Sequence, residues 1–461
     1  MASIEARVAK RADNPYRLIL RRRVPEPFLA LLLFLMGVWL WDNHFGEEMG
    51  YDPDASRMAL VKIDRDLRLA ESAEDYPTWL RKAVGIGDLK ETIQTSVQSL
   101  AILGTENALD VEGAYALAIL DAIRHGNNPV RGPFVDPRLP GPPDPRIIIA
   151  RVAHGQDPWW DRQYLIGFGD QGAPTIALHP RAAEEDSRNR ELALRAVVCR
   201  GSVWLLAGLG IFFVPRTLRA FGRALRSRSK GYAGRIPTNL GLGVFLLAYL
   251  AAVGFERLLS SVIAGEFGGQ PIYLEPPVLA LLDGGTRFLP AMVALAFLYR
   301  RGGHVSSRLG LFAKPDLFLI FGTFALLTAT DFLLKEAFAE RMAPDPTGGL
   351  NASEAGWWGL VLALVSACLA APVAEEILYR GVLFRSLANG IRVPAATLFS
   401  AAVFAVVHFY EPYGLVSVGI FGAACALCFA ASGNLATAIA LHMIYNFVIK
   451  VPEWIVYHAP L

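Results

Sequence analysis

The sequence predicts an all-α polytopic membrane protein, a bundle of about 8–9 transmembrane helices carrying a mostly helical extracytoplasmic insert. Three observations lead there. Of 461 residues, 53% are hydrophobic and only 19% charged, a balance that soluble domains rarely show. The apolar residues are gathered into runs that approach the roughly 20 needed to cross a bilayer. Arginines cluster in the links between those runs, where their placement sets orientation. The formal net charge of +2 gives no broad positive field, so nucleic acid is not an expected partner.

The first apolar run is Glu26 to Trp41, EPFLALLLFLMGVWLW, ending in interfacial tryptophans. Arg21, Arg22 and Arg23 precede it and place the N-terminus in the cytoplasm. No small-x-small site follows GVWLWDN, so the run reads as an anchor rather than a cleaved signal. Residues 1–42 therefore form a cytoplasmic N-terminus and first span. A second run, about Ala193 to Val214, is followed by RTLRAFGRALRSRSKGYAGR; residues 191–235 read as a second span and a basic cytoplasmic loop suited to anionic lipid.

Residues 43–190 then face the outside as an insert of domain size. Helices are expected at Ala55 to Ala73, Asp88 to Leu103 and Val111 to His125, the last from apolar positions at helical spacing. The stretch NNPVRGPFVDPRLPGPPDP reads as an extended linker, followed by RIIIARVAHGQDPWWDRQYLIGFG. No catalytic constellation stands out: His125, His154 and His179 are scattered. The insert contains no cysteine, and its partner stays open.

From residue 236 to 461 the membrane domain continues. Its candidate spans are Thr238 to Leu259, Val278 to Tyr299, Leu317 to Phe338, Trp357 to Ala374, Pro394 to Phe409, Gly414 to Ala431 and Leu435 to Ile449. The link RRGGHVSSRLGLFAKPD and the segment with Arg380, Arg385 and Arg392 are basic and expected to be cytoplasmic. ERMAPDPTGGLNASEAG is expected outside. The arginine-rich loops fit a bacterial inner membrane. Cys199, Cys368, Cys425 and Cys428 all lie in apolar runs; the CxxC within AACALCFA reads as small residues at helix spacing rather than a metal or redox pair.

Charges inside apolar helices are costly and default to functional hypotheses. Asp331 has Lys335 four residues on, a self-paired arrangement; Glu256 and Arg257 lie toward a span's edge. The stretch from 371 to 446 is different. Glu375 and Glu376 adjoin at the end of an apolar helix, and Arg380 stands four residues after Glu376, the favourable orientation for an ion pair. Glu375, about 100° around the helix, is left without a local partner. A carboxylate in apolar surroundings binds protons more tightly than in water, as a general base requires. Phe404 and His408 share one helical face, as do His442 and Asn446.

Peptide hydrolysis needs a water deprotonated and aimed, an oxyanion stabilised and a proton returned to the amine. Glu375 with His408 could activate the water, and His442 with Asn446 could hold the oxyanion. The same residue types permit zinc held by Glu375, His408 and His442, although no HExxH helix is present.

EExxxR (Glu375, Glu376, Arg380), FxxxH (Phe404, His408) and HxxxN (His442, Asn446), in that order on successive hydrophobic segments, resemble the CAAX prenyl protease 2 and bacteriocin-processing family of intramembrane proteases. The resemblance covers about 357–450. It implies a glutamate-dependent intramembrane endopeptidase acting on a membrane-associated or lipidated protein or peptide. The first glutamate and the FxxxH histidine would activate water, the HxxxN pair would bind the oxyanion, and Glu376, Arg380 and Phe404 would hold the site in shape. The preferred reading requires no cofactor, while family descriptions as metalloproteases keep zinc in play. Two further readings compete: a non-catalytic immunity or scaffold protein on the same fold, and a transporter using Glu375 and the histidines as a proton relay. No internal repeat favours the transporter.

Overall fold

The computed structural model describes residues 26–46, 53–105, 109–128, 145–154, 157–169, 182–227, 236–272, 274–299, 309–338, 357–408 and 412–459. Among them the chain is helical, with no strand. Arg21 to Arg23, His179, most of the proline-rich linker and the link ERMAPDPTGGLNASEAG lie outside the described residues, as does the side chain of His154.

The helices are α1 (Glu26–Gly46), α2 (Pro53–Ser72), α3 (Thr78–Ala83), α4 (Leu89–Thr105), α5 (Val111–Arg124), α6 (Pro145–His154), α7 (Trp159–Gly169), α8 (Ala182–Ile211), α9 (Val214–Arg226), α10 (Thr238–Ile263), α11 (Pro276–Tyr299) and α12 (Leu317–Phe338). They continue as α13 (Trp357–Gly390), α14 (Val393–Val406), α15 (Pro412–Ser432) and α16 (Leu435–Tyr457). Among the described residues, six helices are long and apolar enough to span a bilayer, and three shorter apolar stretches, Pro27–Leu40, Gly284–Leu298 and Val393–Val406, accompany them. The chain is an all-α, polytopic integral membrane protein.

The chain divides into two compact units. One takes the described residues within Glu47–Trp204 together with those of Ile449–Leu461; the other takes the rest, apart from a short link. The first unit closes over two apolar clusters. Leu67, Leu100, Leu120, Ile148, Trp159 and Trp160 form one. Leu69, Ala73, Leu192, Ala196 and the C-terminal Val456 and Tyr457 form the other. Sequence periodicity places α2, α4 and α5 to within about two residues, the usual uncertainty of helix ends. Asp110 caps α5 by accepting from the Gly113 N–H at 2.7 Å, which satisfies one of the donors a helix start leaves open.

In the other unit α14 lies along α15, α10 along α11, and α12 against α15. Helices approach closely where glycine removes the side chain: a Cβ on Gly241 of α10 would fall 2.1 Å from the Ser386 Cβ on α13.

One expected link is not a link. The segment carrying Arg380 and Arg385 continues the helix from Trp357 without a break to Gly390. Arg380 and Arg385 are buried, at 0% and 1% exposure, rather than sitting in a cytoplasmic loop. Arginines inside the protein carry no information about sidedness, because the positive-inside rule concerns charges that meet the membrane surface. α13 is also not a uniform α-helix: Ser366–Ala370 and Ile377–Phe384 are π-helical, and π turns are frequent at functional sites.

Candidate active site

The first π segment of α13 has a local cause. Pro372 sits just after the first π segment, where its missing N–H and bulky ring disturb the preceding turn. In a five-residue register the Ala367 carbonyl would take the N–H of residue 372, and proline has none. The Asn446 carboxamide of α16 supplies the missing donor, Nδ2 to Ala367 O at 2.9 Å. A proline on one helix thereby fixes an asparagine on another.

The next turn of α13 presents the two glutamates. Glu376 is fully buried; its Oε1 accepts from Arg380 Nη1 at 2.9 Å and meets His442 Nδ1 at 2.9 Å. Arg380 also donates through Nη2 to the Gly422 carbonyl at 2.8 Å and stacks 4.5 Å from the Phe404 ring centroid. This cation is therefore compensated by charge, carbonyl and aromatic face together. Glu375, partly exposed, stands with Oε2 3.8 Å from His442 Nε2. His442 thus lies between both carboxylates, one at each ring nitrogen.

His408, just past the end of α14, bonds through Nδ1 to the Phe404 carbonyl at 2.6 Å. A carbonyl only accepts, so Nδ1 carries the proton and Nε2 the lone pair. His408 lies within electrostatic reach of Glu375, His442 and Arg287. Phe404 joins the imidazoles, its ring centroid 4.6 Å from His408 and 6.1 Å from His442. Among the sequence-chosen residues, Glu375, Glu376, Arg380 and His442 meet directly, Phe404 and His408 pack beside them, and Asn446 reaches back to Ala367. The other intramembrane pair behaves as its spacing predicts: Lys335 meets Asp331 at 3.1 Å, and Tyr413 donates to Asp331 at 2.6 Å. His125 is exposed and bonds only within its own helix end, at the Asp121 carbonyl.

Residues 357–448 match a family model described as type II CAAX prenyl endopeptidase Rce1-like. The likeness is to this segment, about a fifth of the chain. The family is a protease family, and Glu375, Glu376, Arg380, Phe404, His408, His442 and Asn446 fall within the matched range. Residues 1–356 lie outside the match. No curated protein and no solved structure matches the chain.

Sequence reasoning missed what α15 brings to the Rce1-like site. Phe421 packs 4.8 Å from the His442 ring, Gly422 gives its carbonyl to Arg380, and Cys425 lies beside Glu376 and His442. A Cβ on Gly422 would stand 3.1 Å from Phe404 Cδ1 and 3.3 Å from Ala401 Cα, so glycine lets α15 pack closely on α14 without displacement. Phe421, Gly422 and Cys425 share a helix face, yet nothing in FGAACALCFA distinguishes that face from ordinary packing. α10 adds Tyr249, whose hydroxyl meets that of Tyr379 within electrostatic reach of Glu375.

A metal would need clustered donors. Among the described residues, the His, Cys and carboxylate atoms close enough to share an ion are those of Glu376, Cys425 and His442, not Glu375, His408 and His442 together. An ion there would share Glu376 with the Arg380 guanidinium, a like charge 2.9 Å from the ligand oxygen. That set does not fit a cation.

Proposed function

We propose that the Rce1-like segment is the active site of an intramembrane endopeptidase that cleaves a membrane-associated protein or peptide. The observation that carries this reading is the convergence of Glu375 and Glu376 from α13 on His442 of α16, at 3.8 and 2.9 Å. Glu375 is the carboxylate of the pair that is not held by Arg380.

In this reading Glu375 and the Nε2 lone pair of His408 hold one water. As its oxygen attacks the scissile carbonyl carbon, its proton passes to Glu375, and the bond to nitrogen breaks as that proton is delivered to the leaving amine. With Glu376 holding Nδ1, the Nε2 edge of His442 faces the developing oxyanion. Asn446 has a second amide N–H to add beside it. Glu376, Arg380 and Phe404 hold these groups in place. The arginine-rich segments support a bacterial inner membrane with the N-terminus in the cytoplasm.

The test is cleavage by protein reconstituted in lipid, with candidate substrates taken from precursors that accumulate in Glu375→Gln cells. Loss of turnover in both Glu375→Gln and His408→Ala, with insertion and thermal stability retained, is expected. Near-wild-type turnover in the purified variants overturns the roles. Full biological complementation by Glu375→Gln would favour the scaffold reading.

A further inference from the structure

The first unit holds a cavity of about 740 Å³, within the size range of small-molecule sites. Its wall is drawn from α2, α5, α6, α7 and α8, and eleven of the fifteen lining side chains are charged. Six are arginines and none is a lysine. Arginine is the residue suited to forked recognition of phosphate and carboxylate.

The acids of the wall are already taken. Asp64 pairs with Arg68 at 3.0 Å, and Glu185 pairs with both Arg68 and Arg162. Asp157 pairs with Arg162, and Glu112 with Arg151 at 2.8 Å. Asp110 caps α5 and accepts from Ser56 at 2.6 Å. Two arginines of the same wall have no carboxylate among the described residues. Arg65 of α2 donates only to the Ala459 carbonyl at 3.4 Å, and its Nη1 is buried without an acceptor. Arg188 of α8 is exposed and makes no bond to a described residue. Burial draws the Arg65 guanidinium below its ordinary value, with Arg68 and Arg195 adding to the effect and Asp64 opposing it. A positive charge is thus held at a cost that an anion would relieve.

We infer that this cavity binds a small organic phosphate, with Arg65 and Arg188 as the anion-binding residues and Leu60, Val61, Pro158 and Trp160 as the wall for its organic part. Two guanidiniums on separate helices suit a phosphate better than a singly charged carboxylate. The volume far exceeds that of a bare phosphate ion. The phosphate can belong to a soluble ester or to a lipid headgroup. The site lies outside the Rce1-like segment and does not depend on the proposed protease activity.

Full-length protein in neutral detergent is titrated with glycerol 3-phosphate by calorimetry, with inorganic phosphate and glutamate alongside. Binding to phosphatidylglycerol and phosphatidylcholine vesicles is measured in parallel. Saturable binding of glycerol 3-phosphate is expected, tighter than glutamate and weakened at least tenfold in Arg65→Gln and Arg188→Gln, but not in Arg219→Gln on α9. Arg188 supports no described contact, so its variant keeps the fold if Arg65→Gln does not. Variant-sensitive binding confined to phosphatidylglycerol vesicles assigns the phosphate to a lipid; binding of the soluble ester assigns it to a metabolite. Absence of saturable binding up to about 10 mM by every probe, equal affinity in all variants, or a preference for glutamate overturns the inference.

Discussion

Glu376 with Arg380 and Glu185 with Arg68 are the same chemical pair in two settings. The first is sealed, with both side chains at 0% exposure. The second lies on the wall of an open cavity, at 6% and 8%. In the sealed setting one carboxylate oxygen serves an arginine and a histidine together, and the guanidinium's remaining contacts are a carbonyl and an aromatic face. In the cavity, acids and arginines form an extended network that holds α2, α7 and α8 together. A buried ion pair contributes little net stability by itself, because desolvation offsets attraction. The sealed pair therefore acts as a positioning device. It fixes His442 at one nitrogen and leaves the other facing Glu375. The cavity pairs are a scaffold that leaves two arginines over.

In the proposed mechanism the largest effect belongs to Glu375: Glu375→Gln should lower the single-turnover cleavage rate by about 10²–10⁴-fold with no change in melting temperature. A matching loss of stability would move Glu375 into the structural class. Arg380→Ala should cost about 3–5 kcal/mol, because it leaves Glu376 buried without its cation. Thermal unfolding in detergent reads this, and adding Glu376→Gln should restore part of the loss. Arg68→Ala, in the more open network, should cost less, about 1–3 kcal/mol, and should leave cleavage chemistry untouched once the protein is folded. The exposed pair Arg195 with Glu191, at 2.6 Å, should contribute no more than about 1 kcal/mol; if its loss equals that of Arg68, burial is not what separates the two.

A pH test belongs to the first unit. Burial pushes the Asp161 carboxyl up to about 7, with Arg151 opposing it and Glu112, Asp157 and Asp64 reinforcing it. The folded state therefore binds this proton more tightly than the unfolded chain, whose carboxyl titrates near 4. Between about pH 4 and 7 this group makes stability fall as pH rises. Asp161→Asn should remove that slope, and unfolding midpoints across the range should become flatter. An unchanged slope would show that Arg151, 2.9 Å away, keeps the carboxylate ionised throughout.

The two regions also differ in what the sequence discloses. Leu317 to Phe338 is legible as a span to the residue, because an unbroken apolar run is a one-dimensional signal. The helices α2, α4 and α5 follow from periodicity. Glu375, Glu376, Arg380, His408, His442 and Asn446 stand out because polar groups in apolar helices are conspicuous. The same reasoning misplaces Arg380 and Arg385 in a loop, since an arginine count cannot tell a charge at the membrane surface from one neutralised inside. It also passes over Phe421, Gly422 and Cys425, whose residue types are ordinary in any packed helix.

By itself, then, the sequence determined that the chain is helical, where it is apolar enough for lipid, and which polar residues demand an explanation. These depend on composition and spacing along one segment. Only the tertiary structure decided which partner each polar group takes: His442 bonds to a glutamate 66 residues away, and Asn446 answers a carbonyl that Pro372 leaves unpaired. Buried donors and acceptors must be satisfied, and the partner that satisfies them is chosen by how helices pack, not by the order of residues within any one helix.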